Sequence, residues 1–202
     1  DKIRQIVKNL NWMKMAGSHV QNLLDPKVLK DLKECEDNVK IKVEEGLIQL
    51  LHKIKGWISK NRFDDVFEQK QIVGNICDDL GSLCGERVLK EFKDLDELEE
   101  QHLNDLQKKY EVLELKDYAM HPPKDIFDKF ERFEAKFPFQ KYTQIQRNIE
   151  DFILQKFREN LKSAEENKCF DSPNIYLRSV QNALKFLPAS LQEALKDSIE
   201  GC

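Results

Sequence analysis

Residues 26–58 read PKVLKDLKECEDNVKIKVEEGLIQLLHKIKGWI. Leu29, Leu32, Cys35, Val39, Val43, Leu47, Leu50, Ile54 and Trp57 advance in steps of three or four, which lines them along one side of an α-helix. Asp25-Pro26 supplies a start: the carboxylate accepts orphan backbone donors, and proline at the first helical position forfeits no bond. Residues 39–43, Val-Lys-Ile-Lys-Val, alternate as a strand would. The helical period on both sides is much longer and decides the reading, with Gly46 its weakest helix former.

Outward from this helix the same period recurs between breaks of glycine and proline. Ile3, Ile6, Val7, Leu10 and Met13 form a short amphipathic helix ahead of it, with a stop expected at Gly17-Ser18. Phe63, Val66, Phe67, Ile72 or Val73, Ile76, Cys77 and Leu80 form a third helix ending at Gly81-Ser82. A second long pattern runs from Glu86 through Val88, Leu89, Phe92, Leu95, Leu98, Leu103, Leu106, Tyr110 and Leu113, roughly thirty residues or about 45 Å of helix. Residues 118–123, Tyr-Ala-Met-His-Pro-Pro, read as a hinge or boundary, because adjacent prolines bar continuation.

After the hinge, Ile126, Phe127, Phe130, Phe133 and Phe137 make an aromatic stripe stopped by Pro138. Thr143 opens a helix with Ile145, Ile149, Phe152, Ile153, Phe157 and Leu161 inward. Ser172-Pro173 opens another, carrying Ile175, Tyr176, Val180, Leu184 and Leu187. Ser190 and Glu193 have capping-box spacing ahead of Leu191, Leu195 and Ile199. The expected fold is all-α, an irregular multi-helix bundle of about eight helices. Two long antiparallel helices, 26–58 and 86–117, pack in it, followed by a group of shorter C-terminal helices. The expected division is residues 1–120 as a long-helix bundle and 121–202 as a shorter-helix subdomain packed on it.

Composition narrows the class. Of 202 residues, 35% are charged and 40% hydrophobic, which suits a packed core better than a disordered chain. No run approaches the roughly 20 consecutive apolar residues of a bilayer span. The chain begins Asp1-Lys2-Ile3-Arg4, which reads as a piece of a longer protein. Five cysteines, Cys35, Cys77, Cys84, Cys169 and Cys202, are too few and odd in number for a secreted disulfide scaffold. The expected home is intracellular, cytoplasmic or nuclear. The net charge of -4 is uneven: residues 1–62 hold thirteen bases and eight acids, the remainder twenty bases and twenty-nine acids.

Chemical motifs are sparse. Glu99 and His102 have the Glu-x-x-His spacing of carboxylate-bridged metal bundles, but those sites use two such pairs and further glutamates. His19, His52, His102 and His121 are scattered, and neither His-Glu-x-x-His nor Cys-x-x-Cys occurs. Glycine-rich phosphate loops and calcium-loop alternation are missing too. Cys84 sits near a helix start, where a thiol is acidified, and a neighbouring imidazole would make it a nucleophile. Phe127, Phe130, Phe133, Phe137 and Phe139 read as core or as a groove for a partner helix. Lys2, Arg4, Lys8 and Lys14 with Trp12 make the first helix the one segment suited to a membrane surface.

Between Asp94 and Asp117 stand nine acids and three bases. The expected function is therefore a non-enzymatic helical interaction or scaffold module of coiled-coil character. Its partner-binding residues are Asp94, Asp96, Glu97, Glu100, Asp105, Glu111 and Glu114, facing a protein partner that is basic. Domains of a parent chain or a second copy are the other candidate partners; nucleic acid and membrane rank below them. No catalytic residue, metal or cofactor is expected. Two alternatives stand beside this: a cysteine-dependent enzyme or redox-responsive protein using Cys84, and a nucleic-acid-binding module using the basic segment 27–62.

Overall fold

A computed structural model describes residues 2–20, 25–81, 84–137, 140–166 and 175–200. Every regular element among them is helical: α1 (Lys2–Val20), α2 (Pro26–Ile58), α3 (Phe63–Leu80), α4 (Glu86–Val112), a 3-10 helix (Leu115–Ala119), α5 (Pro123–Lys136), α6 (Gln140–Glu166), α7 (Ile175–Leu184) and α8 (Ala189–Glu200). The fold is an all-α irregular bundle whose longest described helices are α2, of 33 residues, and α4 and α6, of 27 each; α5, α7 and α8 are shorter. Ser172, Pro173, Pro138, Phe139, Cys169 and Cys202 lie outside the described residues, as do the side chains of Lys2, Ile3, Arg4, Val7, Leu10, Lys14 and Ile199.

The chain divides into two compact units, residues 1–60 with 65–99 and residues 61–64 with 100–202. The division falls within α4, and the proline pair at 122–123 lies inside the second unit.

The first unit is built on α2. Its start is the one read from Asp25-Pro26: the Asp25 carboxylate accepts the Lys27 amide at 2.7 Å. The strand-like alternation at 39–43 is helical, as the longer period requires. Val43, Leu47, Ile48, Leu51, Ile54 and Ile58 of α2 join Val66, Val73, Ile76 and Leu80 of α3 and Val88 and Leu95 of α4 in one apolar core. Burial starts only at Val43. Leu29, Leu32 and Val39 are half-buried, Cys35 is exposed, and Ile41 is 55% exposed. In α1, Ile6 and Met13 are exposed, and the helix continues through Gly17-Ser18 to Val20.

The long helices do not form the antiparallel pair expected of them. The Glu44 carboxylate lies so close to Gly85 that a Cβ there would meet it at 2.7 Å, and Lys55 bonds Glu91 at 2.8 Å. From 44 to 55 along α2 the partner advances from 85 to 91 along α4, so the two run in the same sense. The cause is α3, which returns the chain: Lys70 pairs with Asp96 and Glu99, and Cys77 with Cys84, an antiparallel register against α4.

In the second unit α6 packs against α5, α7 and α8, and α7 against the 3-10 helix. Phe63 stacks on Phe130 with ring centroids 5.2 Å apart, and Tyr142 meets both rings edge-on. Phe127, Phe130 and Phe133 are buried, so these members of the aromatic stripe are core, while Phe137 is half-buried. At the expected hinge, Tyr118 and Pro123 are buried and Ala119, Met120 and His121 are exposed; just after it the Lys124 amide bonds the Phe186 carbonyl at 3.0 Å. Two helix starts differ from their reading. Chain in α6 is already helical at Gln140, and Thr143 donates to Glu134 at 2.5 Å. In α8 the helix begins at Ala189, where Pro188 offers its carbonyl to Gln192, rather than at a Ser190 cap.

Candidate functional site

The acidic face of α4 is the candidate the sequence singles out, and its members do different work. Asp94 is half-buried. Asp96 bonds the Lys70 ammonium, and Glu97 pairs with Lys93 one turn away at 3.6 Å. Glu114 and Asp117 form a capping box on the 3-10 helix, each carboxylate taking the other's backbone amide. Glu100, Asp105 and Glu111 are exposed, with no hydrogen bond or ion pair among the described residues. These three belong to the second unit. Glu100 and Glu111 are eleven residues apart, about three turns, and so project from one side of the helix. Val112, beside Glu111, is 73% exposed and adds apolar surface to that charge.

Glu99 and His102 do not share a ligand. Glu99 is buried and bonds Lys70 at 2.6 Å, whereas His102 Nε2 donates to Asn61 Oδ1 at 2.8 Å. Burial holds the His102 imidazole below its ordinary value, against a smaller opposing pull from Asp105. Among the described residues no group of three or more His, Cys, Asp and Glu side chains is placed to hold a metal ion.

Cys84 is buried in the apolar core of the first unit, with Cys77 packed against that core. The two thiols are near enough for Cys84 to perturb Cys77. Burial and then the Cys84 bond push the Cys77 thiol up to about 12, the opposite of what a nucleophile needs. This pairing is what sequence could not show: Cys77 and Cys84 are seven apart, and only the turn at Gly81 brings them together.

The basic segment 27–62 is interleaved with acids in space as in sequence. Lys30 pairs with Glu34, Lys40 with Glu36 and Asp37, and Lys55 with Glu91. Lys53 lies over the Trp57 ring, 5.1 Å from its centroid. A shallow groove on α2 is lined by Asp31, Glu34, Cys35, Asn38, Val39 and Lys42, a mixed set with no convergent chemistry. No described helix is long and apolar enough to cross a membrane.

The sequence reading singles out neither Lys70 nor the burial of Glu99, yet both carry a signal. Lys70 stands four after Val66 and three before Val73, and Glu99 stands four from both Leu95 and Leu103, so both charges interrupt apolar stripes. Set beside known proteins, the chain matches no family model, no curated protein and no solved structure.

Proposed function

We propose that this chain is a non-enzymatic helical interaction module that offers an acidic helix face to a basic protein partner. The observation supporting it is the split among the acids of α4. Asp96, Glu97 and Glu114 serve the fold itself, while Glu100, Asp105 and Glu111 are exposed and form no ion pair or hydrogen bond among the described residues. Charges of that kind steer a partner of opposite sign and raise its association rate, with exposed Val112 available for apolar contact. The raised Cys77 thiol weighs against thiol catalysis at the Cys77–Cys84 pair.

The test is the triple variant Glu100→Lys, Asp105→Lys and Glu111→Lys, which leaves the Lys70 pair and the capping box intact. Circular dichroism and melting temperature should match the wild type. Capture from cell extract should retrieve basic proteins with the wild type, at a rate that falls with salt, and lose them with the variant. Identical capture by both proteins would remove the acidic face from the proposal.

A further inference from the structure

Two thiols meet where α3 gives way to α4. Cys77 lies in the last turn of α3 and is half-buried; Cys84 is buried just ahead of Glu86. Gly81, at φ +53°, turns the chain back, and the Cys84 amide bonds the Gly81 carbonyl at 3.0 Å. Cys84 belongs to the apolar core cluster, Cys77 packs against it, and Cys84 is near enough to raise the Cys77 thiol. A turn that brings two thiols to one spot favours joining them over a pair on distant helices.

We infer that Cys77 and Cys84 are a two-electron redox site, which a peroxide oxidant converts into an intramolecular disulfide tying the end of α3 to the start of α4. Cys77, the more accessible sulfur, attacks peroxide. Its S–O bond forms as the O–O bond breaks, and the released hydroxide leaves as water with the thiol proton. Cys84 then attacks the Cys77 sulfenic sulfur, the S–O bond breaks, and a second water departs with the Cys84 proton. Two thiols and one peroxide give one disulfide and two waters. Because burial keeps Cys77 protonated at neutral pH, the reaction is slow and answers sustained oxidant rather than a brief pulse.

The experiment is peptide mapping of the whole chain after exposure to hydrogen peroxide, followed by alkylation in denaturant without reductant. Trypsin cleaves after Lys70 and Arg87 and nowhere between, so both cysteines fall in peptide 71–87. That peptide should be two hydrogens lighter, resist alkylation until dithiothreitol is added, and accompany a rise in melting temperature of roughly 5 °C. Cys77→Ser, at the half-buried position, should abolish the rise without changing the reduced protein's secondary structure. A doubly alkylated 71–87 peptide under conditions that oxidise exposed Cys35, or linkage of Cys77 to another chain, would overturn the inference.

Discussion

The Lys70 ammonium lies 2.6 Å from the Glu99 carboxylate, and Glu99 is the buried charged side chain of the described core. Lys70 also bonds Asp96, so one cation from α3 holds two acids from successive turns of α4. Burial pulls the Lys70 ammonium down, but its bonds to Asp96 and Glu99 outweigh that and leave it above the ordinary 10.5. Lys70→Met removes the ammonium that Asp96 and Glu99 share and should cost about 3 kcal/mol in a urea melt. Replacing both residues with apolar ones should recover much of that loss. Linkage adds a sign: the Lys70 contribution is full below 10.5 and fades as pH climbs through its raised folded value. A single variant as stable as the wild type would show the pair to be idle.

Three glycines of the first unit should respond to alanine with opposite signs. Gly81 has φ +53°, where a Cβ is strained whatever space surrounds it, so Gly81→Ala should cost about 1 kcal/mol. Gly74 is interior to α3 and Gly56 lies in the last turn of α2, and a Cβ at either meets nothing within 4 Å. Gly56→Ala and Gly74→Ala should each stabilise the protein by about 0.5–1 kcal/mol by restraining the unfolded chain. Chemical denaturation of the three variants reads the signs directly, and a uniform loss would refute the assignment.

These cases mark how far sequence reached. Periodicity located the helices and most breaks because each break is chemically local: Asp25-Pro26 starts α2, and Gly81 ends α3. It could not assign direction. An antiparallel α2–α4 pair and an up-down-up triple have the same apolar stripes, and only contacts such as Lys55–Glu91 separate them. Nor could it tell a stripe that is buried from one that is merely written. Cys35, Val39 and Val43 follow one another on the same stripe of α2, yet Cys35 is exposed, Val39 half-buried and Val43 buried. The acidic face was legible as composition, but its division into capping, pairing and solvent-facing acids depends on partners from other elements or turns.

His102 sets a pH dependence in the second unit. Its imidazole is held below 6.5 mainly by burial, so the folded state favours the neutral ring that donates to Asn61. As pH falls below 6.5 the unfolded chain takes up the proton first. The contribution is therefore present above 6.5 and lost between 6.5 and the lower folded value, below which it is constant. Urea midpoints taken from about pH 7 to about pH 5 should fall more for the wild type than for His102→Gln. Equal slopes would discount the histidine.

Tyr118 is fully buried, and its hydroxyl has no hydrogen-bond partner among the described residues. Burial drives the phenol strongly upward, with smaller contributions from the Tyr110 and Glu114 charges. The ring itself packs near Phe157 with centroids 6.3 Å apart, so Tyr118→Phe keeps the packing and removes the stranded dipole. That variant should be as stable as the wild type or gain up to about 1 kcal/mol. A loss of stability on thermal melting would reveal a bond to the hydroxyl.

The sharpest test of the core's extent compares two positions on α2. Leu47 is fully buried among residues of the first-unit core, and truncating it removes contacts that the surroundings only partly refill. Leu47→Ala should cost about 3 kcal/mol in urea. Leu32, on the same apolar stripe fifteen residues earlier, is only half-buried and has less area to lose. Leu32→Ala should cost no more than about 1 kcal/mol. Were the apolar side of α2 packed along its whole length, both truncations would be costly; a penalty at Leu32 comparable to that at Leu47 would place the start of the core well before Val43.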